Sequence, residues 1–292
     1  MTEKFKDGRW SRRIDVADFV FNNITPYEGD ASFLTGATER TKKLWDKCLE
    51  AIEEERQNGG VRSIDTKTIS TITSHAAGYI DKENELIVGL QTDELLKRAI
   101  KPFGGWKVVD KACSENGVEL DPEVKKIFTH YRKTHNDGVF DAYTEEIRKY
   151  RSLGFLTGLP DNYSRGRIIG DYRRLALYGI DRLIQAKKED LKQILGPMTE
   201  ARVRLREEVA DQIKALNEIK IMGSYYGLDL SRPATNAQEA VQWVYMAYLA
   251  SVKEQDGAAM SLGNVSSFLD IFIQYDLDHN IIDETFAQEL ID

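Results

Sequence analysis

The amino-acid sequence predicts a mainly α-helical protein with a few short strands (α+β), organised as one domain over residues 1–292. Apolar residues recur every three or four positions through most of the chain, which is the spacing of one helix face. Two short stretches have the residue types of strands. No internal repeat and no low-complexity linker divides the sequence.

The first predicted helix has an apolar row with a repeat of four residues and ends at Gly59-Gly60, because glycine favours the position after a helix. Its apolar residues are Leu44, Trp45, Cys48, Leu49 and Ile52. Strands are predicted at residues 85–90 and 106–109. Asp121-Pro122 combines an N-cap residue with proline at the first helical position, so a helix begins there and ends at residues 136–138.

Three long helices follow, at residues 167–188, 206–225 and 239–253. The last of them is apolar on almost every side, which is typical of a buried helix. A final helix begins at Asp283. The chain stops inside its apolar pattern, without a closing glycine, proline or basic last turn. We therefore expect a truncated chain in which Phe286, Leu290 and Ile291 are poorly buried.

The composition excludes several classes of protein. The formal net charge of -8 disfavours nucleic acid or an anionic membrane as the main partner. No stretch approaches the ~20 apolar residues of a membrane span, and the N-terminus lacks the apolar run of a signal peptide. Cys48 and Cys113 do not make a disulfide framework. These features predict a cytoplasmic protein.

One segment, residues 157–174, concentrates arginines among glycines and tyrosines inside this acidic chain. Its arginines are Arg165, Arg167, Arg173 and Arg174. Cations gathered against an acidic background indicate a site for a small anion, since an arginine held by its neighbours binds a planar carboxylate with two parallel hydrogen bonds. The alternative is that these arginines lie on a solvated helix face and pair with Asp171 and Asp181.

The same segment resembles the N-terminal part of the pyruvate formate-lyase (formate C-acetyltransferase) family of glycyl radical enzymes. Five further blocks agree with that family in order and spacing, so the resemblance covers the whole chain. The blocks are Tyr27-Glu28-Gly29-Asp30 with Ser32-Phe33-Leu34, residues 70–75 (STITSH), 102–105 (PFGG), 131–136 (YRKTHN) and 257–261 (GAAMS).

The resemblance implies the N-terminal helical portion of the family's α/β barrel, with the barrel incomplete. It implies conversion of pyruvate and CoA into acetyl-CoA and formate through a glycyl radical and a cysteine thiyl radical. It also implies an anaerobic cytoplasmic enzyme of glucose fermentation, a radical-SAM activating enzyme as partner and a homodimer at full length. The cysteine pair and the radical glycine of the family are not found in these residues.

Three substrate contacts are implied by the resemblance. Arg167 matches the arginine that holds the pyruvate carboxylate, and Ala258 matches a small residue beside the substrate methyl group. Phe140 matches an aromatic residue that stacks on the adenine of CoA. The sequence departs from the family at Ile213, where an aromatic or histidine partner of the adenine is usual, and at Asn264, where arginine is common.

No catalytic residue and no metal site is predicted. Cys48 lies on an apolar helix face, which is typical of a small buried side chain, and neither cysteine has a cysteine neighbour. The four histidines are scattered at His75, His130, His135 and His279. We therefore expect the 292-residue chain to be inactive by itself, with Arg167 and Ala258 sharing one cleft.

Two other interpretations remain open. A 2-ketobutyrate formate-lyase would use the same scaffold, because one methylene group in a pocket is worth only ~1–3 kcal/mol. A non-catalytic remnant would dock with a separate chain that carries the radical. Continuation of the reading frame into a cysteine pair and a radical glycine would exclude the remnant.

Overall fold

A computed structural model describes residues 4–34, 36–100, 106–126, 143–156, 170–197, 199–254 and 260–292. Helices dominate these residues. In chain order they are α1 (Arg9–Arg12), α2 (Val16–Asn23), α3 (Glu39–Asn58), α4 (Trp106–Glu115), α5 (Pro122–Lys126), α6 (Glu145–Ser152), α7 (Arg173–Gln193), α8 (Glu200–Tyr225), α9 (Ala237–Glu254), α10 (Ser266–Asp278) and α11 (Glu284–Ile291). A single turn of 3-10 helix, Ala31–Phe33, precedes α3. None of the helices in these ranges is long and apolar enough to cross a membrane.

The strands differ from those predicted. The described residues contain one parallel pair, β1 (Ile64–Ile69) and β2 (Arg98–Ile100), and no closed barrel. Residues 106–109 belong to α4, because the apolar pattern continues at helical spacing to Cys113. Both predicted strands are therefore wrong, while the prediction of a mainly helical fold is confirmed.

Residues 85–90 form no strand, and side chains of α9 bind their backbone. The Gln242 amide accepts from the Val88 N–H at 2.7 Å and donates to the Val88 carbonyl at 2.9 Å. The Tyr245 hydroxyl donates to the Gly89 carbonyl at 2.8 Å. A helix thus satisfies the hydrogen bonds that a neighbouring strand would otherwise make.

Helix α3 ends where predicted, at Gly59, but its apolar row is not buried as predicted. The Thr38 hydroxyl accepts from the backbone N–H of Thr41, and Gly59 ends the helix with φ of 62°. Within its apolar row, Trp45 is 64% exposed and Ile52 is 52% exposed. The described part of the chain therefore leaves this helix face largely uncovered.

Helix α7 is broken at Gly179 rather than continuous. This glycine has φ of 70°, and a Cβ atom there would overlap the backbone of Arg232. Beyond the break, the Ile180 N–H donates to the Leu230 carbonyl at 2.9 Å and the Asp181 N–H donates to the Ser231 carbonyl at 3.1 Å. The segment at residues 230–234 replaces the hydrogen bonds lost at the break. The prediction of one uninterrupted helix is corrected accordingly.

The hydrophobic core surrounds α9, as its all-round apolar sequence predicts. Buried side chains of α7, α8 and α10 pack around it, and they include Leu177, Ile180, Met222, Phe268 and Phe272. The N-terminal segment joins the same core through aromatic contacts. Phe5 makes edge contacts with Phe19 at 5.3 Å and Phe272 at 5.1 Å between ring centroids.

The C-terminal helix follows the burial prediction only in part. Asp283 caps α11 by accepting from the Phe286 N–H at 2.8 Å. Ile291 is 58% exposed and Phe286 is half-buried, but Leu290 is only 3% exposed. Leu290 is buried because α11 packs on α9 and because Glu289 accepts a 2.6 Å hydrogen bond from Thr38. The expectation of poor burial is therefore wrong for Leu290.

Candidate functional site

The three residues to which the resemblance assigns substrate contacts lie outside the described residues. Arg167 belongs to the range 157–169, Ala258 to 255–259 and Phe140 to 127–142. The described residues that follow the first two ranges are in contact. Arg173 follows Arg167 by six positions, and its guanidinium donates at 3.3 Å to the carbonyl of Asn264, six positions after Ala258. The prediction of a shared cleft itself remains a prediction.

The end of the arginine-rich segment makes ion pairs. Asp171 accepts from the Arg173 Nε at 2.7 Å and lies 3.4 Å from the Arg174 Nε. Asp181 pairs with Lys220 at 2.8 Å instead. The structural interpretation is thus confirmed for Arg173 and Arg174 with Asp171 as the partner, and it is wrong for Asp181. Arg165 lies outside the described residues.

Tyr172 lies between Asp171 and Arg173 in the sequence, and its side chain points into the protein. The side chain is 5% exposed and its ring packs edge-on against Tyr248 at 5.4 Å. The ring also lies over Gly170, where a Cβ atom would be 2.8 Å from the ring carbon that carries the hydroxyl. Among the described residues this hydroxyl has no hydrogen-bond partner. Glycine at position 170 therefore allows a buried phenol to lie at the end of the arginine-rich segment.

A cavity of about 720 Å³ opens beside Tyr172, between the N-terminal segment, α7 and α8. We call it the α7–α8 cavity. Its volume lies in the range of small-molecule sites. The apolar part of its lining consists mainly of Ile14, Leu175, Leu183, Ala215, Leu216 and Ile219. Tyr172 is one of the residues that line this space, although its hydroxyl is itself buried.

The polar part of the lining carries more cations than carboxylates. Of the lining carboxylates, Asp171 pairs with arginines as above, Asp190 pairs with Lys187 at 3.4 Å, and Glu189 accepts from Gln185 at 3.0 Å. Arg182 donates at 2.6 Å to the backbone carbonyl of Arg12. Within the described ranges, neither Arg12 nor Arg182 has a carboxylate at ion-pair distance. The polar part of the lining therefore has a local positive charge.

Ile213, the residue that departs from the family at the predicted adenine site, is half-buried on α8 and packs against the core. Its helix neighbours Gln212 and Leu216 line the α7–α8 cavity. Asn264 uses its backbone carbonyl to bind Arg173 and its side chain to accept from Ser266 at 3.1 Å. Any residue with a backbone carbonyl can make the first bond, so the Asn264 departure leaves it intact.

The two cysteines do not have the environment of nucleophiles. Cys48 is half-buried, and burial together with the nearby Glu85 raises the pKa of its thiol. Cys113 is buried, and burial together with Asp110 raises the pKa of that thiol. The thiolate is the reactive form, so both groups are less reactive than a free cysteine. The described residues include no group of three potential metal ligands.

A second polar cluster lies where α9 ends, and the sequence did not reveal it. Lys253 is 2% exposed, and burial lowers the pKa of its ammonium group to about 8. His75 is also buried, and burial together with the Lys253 charge lowers the pKa of its imidazole. The Ser70 hydroxyl donates at 3.1 Å to the Lys253 carbonyl, and Glu254 accepts at 3.1 Å from the Ile72 N–H. These bonds attach the end of α9 to the block at residues 70–75.

The residues around the α7–α8 cavity were likewise not predicted, apart from the arginine-rich segment. Arg12, Arg182 and Leu216 come from three separate segments, and nothing in their local sequence marks them. The one available signal was the Gly-Asp-Tyr sequence at residues 170–172, in which an aromatic residue follows a glycine at close range.

A family model and a curated protein both match nearly the whole chain. The family model described as pyruvate formate lyase-like matches residues 4–292. A formate acetyltransferase of Haemophilus influenzae is 56% identical over 295 residues, covering 99% of this chain and 38% of that protein. The chain therefore spans less than half the length of this curated relative.

Solved structures with the same fold are more distant in sequence. A hydroxyproline dehydratase from Clostridioides difficile superposes with a TM-score of 0.62 at 17% identity, covering 88% of this chain and 39% of that chain. A B12-independent glycerol dehydratase from Clostridium butyricum superposes with a TM-score of 0.58 at 17% identity, covering 90% of this chain and 39% of that chain. At this identity the similarity supports the fold alone.

Proposed function

We propose a function from one premise, that the chain belongs to the pyruvate formate lyase-like family, whose model matches residues 4–292. The function is that of the N-terminal part of a formate C-acetyltransferase, an acyltransferase that converts pyruvate and CoA into acetyl-CoA and formate. The observation that carries this proposal is the 56% identity to a formate acetyltransferase, which extends over 99% of the chain.

The role proposed for this part of the enzyme is to position pyruvate. Arg167 binds the pyruvate carboxylate with two parallel hydrogen bonds, and Ala258 leaves room for the methyl group. Correct orientation of a reacting group contributes on the order of 7–11 kcal/mol to lowering a barrier. The contact of Arg173 with Asn264 supports this role, because it joins the segments that follow these two residues.

The remaining groups come from outside these 292 residues. A glycyl radical and a cysteine pair supply the radical chemistry, and a radical-SAM activating enzyme generates the radical. Within the 292 residues, Phe140 stacks on the adenine of CoA. The whole enzyme is a cytoplasmic homodimer of anaerobic glucose fermentation. The two cysteines present, Cys48 and Cys113, lie in separate parts of the chain and do not form the cysteine pair that the family uses. The segment alone is therefore inactive.

A chimera tests this proposal. Residues 1–292 replace the corresponding part of the Haemophilus influenzae formate acetyltransferase, and formate release is measured anaerobically after radical installation. We expect turnover of pyruvate and CoA, with 2-ketobutyrate assayed in parallel to separate the two substrates.

Two variants of the chimera sharpen the test. Arg167→Lys keeps the charge but cannot make the paired hydrogen bonds, so we expect at least about a hundredfold loss of pyruvate turnover. Arg56→Lys, on exposed α3, is the matched control and retains activity. A chimera that carries the radical but turns over neither substrate would contradict the proposal.

A further inference from the structure

Two basic side chains are buried together where residues 70–75 meet the end of α9. Lys253 is 2% exposed and His75 is 6% exposed. Burial lowers the pKa of the His75 imidazole, and the charge of Lys253 lowers it further. Lys253 keeps its charge at neutral and acidic pH, because burial lowers its own pKa only to about 8. Two positive charges away from water repel each other strongly, since the protein interior screens them weakly. A protonated His75 beside Lys253 is therefore unfavourable in the folded chain.

Carboxylates near the two bases offset this repulsion only in part. Asp65 on β1 places one carboxylate oxygen 3.4 Å from Nε2 of His75, and its other oxygen accepts from two backbone N–H groups of its own strand. Asp93 acts on both bases but pairs with Lys97 at 3.0 Å. Glu254 acts on the lysine and also binds a backbone N–H group. The combined effect of burial and of these charges still favours the neutral imidazole.

The hydrogen bonds that attach residues 70–75 to α9 lie at the same place. The Ser70 hydroxyl, which is fully buried, donates at 3.1 Å to the Lys253 carbonyl. The Glu254 carboxylate accepts at 3.1 Å from the Ile72 N–H. Ile72 is 3% exposed and belongs to the hydrophobic core. Separation of residues 70–75 from α9 would therefore break both bonds and expose apolar surface, together with the two buried bases.

A hydroxyl group links the imidazole to this attachment. The Ser74 hydroxyl lies 3.0 Å from Nδ1 of His75, and it accepts from the Thr71 N–H at 2.8 Å. A neutral imidazole has one nitrogen that accepts a hydrogen bond, whereas a protonated imidazole donates from both nitrogens. Protonation of His75 therefore changes the hydrogen bonding of the turn at residues 71–74 as well as the charge beside Lys253.

We propose that His75 and Lys253 form a proton-operated clamp, in which uptake of a proton by His75 releases residues 70–75 from the end of α9. Release relieves the repulsion between the two positive charges, because it exposes both bases to water. The pKa of His75 in the closed clamp lies below its ordinary value of 6.5, so the open form binds more protons as the pH falls below that value. The clamp is therefore closed at neutral pH and weakened by acid. The proposal goes beyond the proposed function and requires no radical chemistry, so either can fail without the other.

Hydrogen exchange of the 292-residue chain, corrected for the intrinsic effect of pH on exchange, measures the opening of the clamp. Between about pH 7.5 and about pH 5, the protection of residues 70–75 should fall at least about threefold, while the centre of α9 at residues 243–249 keeps its protection. His75→Gln keeps a neutral polar side chain at all these pH values, so residues 70–75 should lose this pH dependence. His279→Gln is the matched control, because His279 is exposed, and it should behave like the wild type.

Nuclear magnetic resonance titration of the His75 imidazole, assigned by its loss in His75→Gln, separates the charge effect from stability. The imidazole should titrate below 6.5 in the wild type. Lys253→Met removes the repelling charge and should raise this pKa, whereas Asp65→Asn should lower it further. Lys111→Met, on the exposed side of α4, is the control and should leave it unchanged. A wild-type His75 that titrates at or above 6.5, or protection of residues 70–75 that does not change with pH, would overturn the proposal. Both of these measurements use the wild type, so they decide the proposal even where a variant does not fold.

Discussion

Removal of a hydroxyl group should stabilise this protein at Tyr172 and destabilise it at Tyr178. The Tyr172 hydroxyl is buried without a partner in the described residues. Phenylalanine at this position removes the cost of burying that group, about 1–3 kcal/mol. Some of this gain is lost through relaxation around the ring. We therefore expect Tyr172→Phe to raise the free energy of unfolding by about 1 kcal/mol.

Tyr178 is the matched comparison, because it is a buried tyrosine on α7, the helix that Tyr172 immediately precedes, and its hydroxyl both accepts and donates a hydrogen bond. It accepts from the Asp15 N–H at 2.8 Å and donates to the Arg13 carbonyl at 3.2 Å. Tyr178→Phe leaves both backbone groups without their partner, so we expect a loss of about 1–2 kcal/mol.

Urea denaturation followed by circular dichroism measures both changes, with the slope of the transition as a check that the unfolded state is unchanged. The two variants should shift the midpoint in opposite directions. A melting temperature for a chain of this size should move by about 2 °C per kcal/mol. If Tyr172→Phe destabilises the protein as much as Tyr178→Phe does, the Tyr172 hydroxyl has a partner inside the chain and our reasoning is wrong.

Three further predictions concern stability. Burial lowers the pKa of Lys253 in the folded protein to about 8, so between about pH 8 and 10.5 the unfolded chain binds more protons than the folded chain. The free energy of unfolding of the wild type should therefore rise over this pH range relative to that of Lys253→Met. Parallel curves of the two proteins in urea titrations would contradict this prediction. Asp276→Asn removes the charge that pairs with Lys4 at 3.1 Å and leaves one oxygen for two donors, Lys4 and the Ala237 N–H. We expect a cost of about 3 kcal/mol in the same assay. A loss below ~1 kcal/mol would refute the importance of this buried pair. Gly179→Ala should lower the free energy of unfolding by at least about 3 kcal/mol, because φ is 70° and the new Cβ would overlap Arg232. Gly227→Ala is the control: its φ is 74° but the space around it is open, so it should lose about 1 kcal/mol. Equal losses in the two variants would show that the close approach at Gly179 is unimportant.

The sequence predicted those helices whose burial or ends depend on their own residues. Helix α9 is apolar all round, and its burial follows from that composition. The caps at Asp283 and Gly59 were predictable for the same reason, since each acts within one turn of its own helix. The predicted length of α7 failed at Gly179, because the break depends on a distant segment at residues 230–234.

The strands and the candidate site show a second limit of prediction from sequence, because they depend on contacts between distant segments. Residues 85–90 have a strand-like composition, but their partner is Gln242 on a helix, which no local pattern indicates. The α7–α8 cavity combines Arg12, Tyr172 and Leu216, which come together only in the folded chain. The sequence predicted a small-anion site in the arginine-rich segment, which stays a prediction, and a resemblance to the family, which the family match confirms.

The central proposal is that these residues hold pyruvate in a formate C-acetyltransferase. Labelled formate exchange into pyruvate tests it most directly, because expulsion of formate and its reversal require the pyruvate site but no CoA. The chimera with residues 1–292 should catalyse this exchange without CoA, and the Arg167→Lys chimera should lose it. A chimera that carries the radical at the level of its parent but exchanges no formate would contradict the claim.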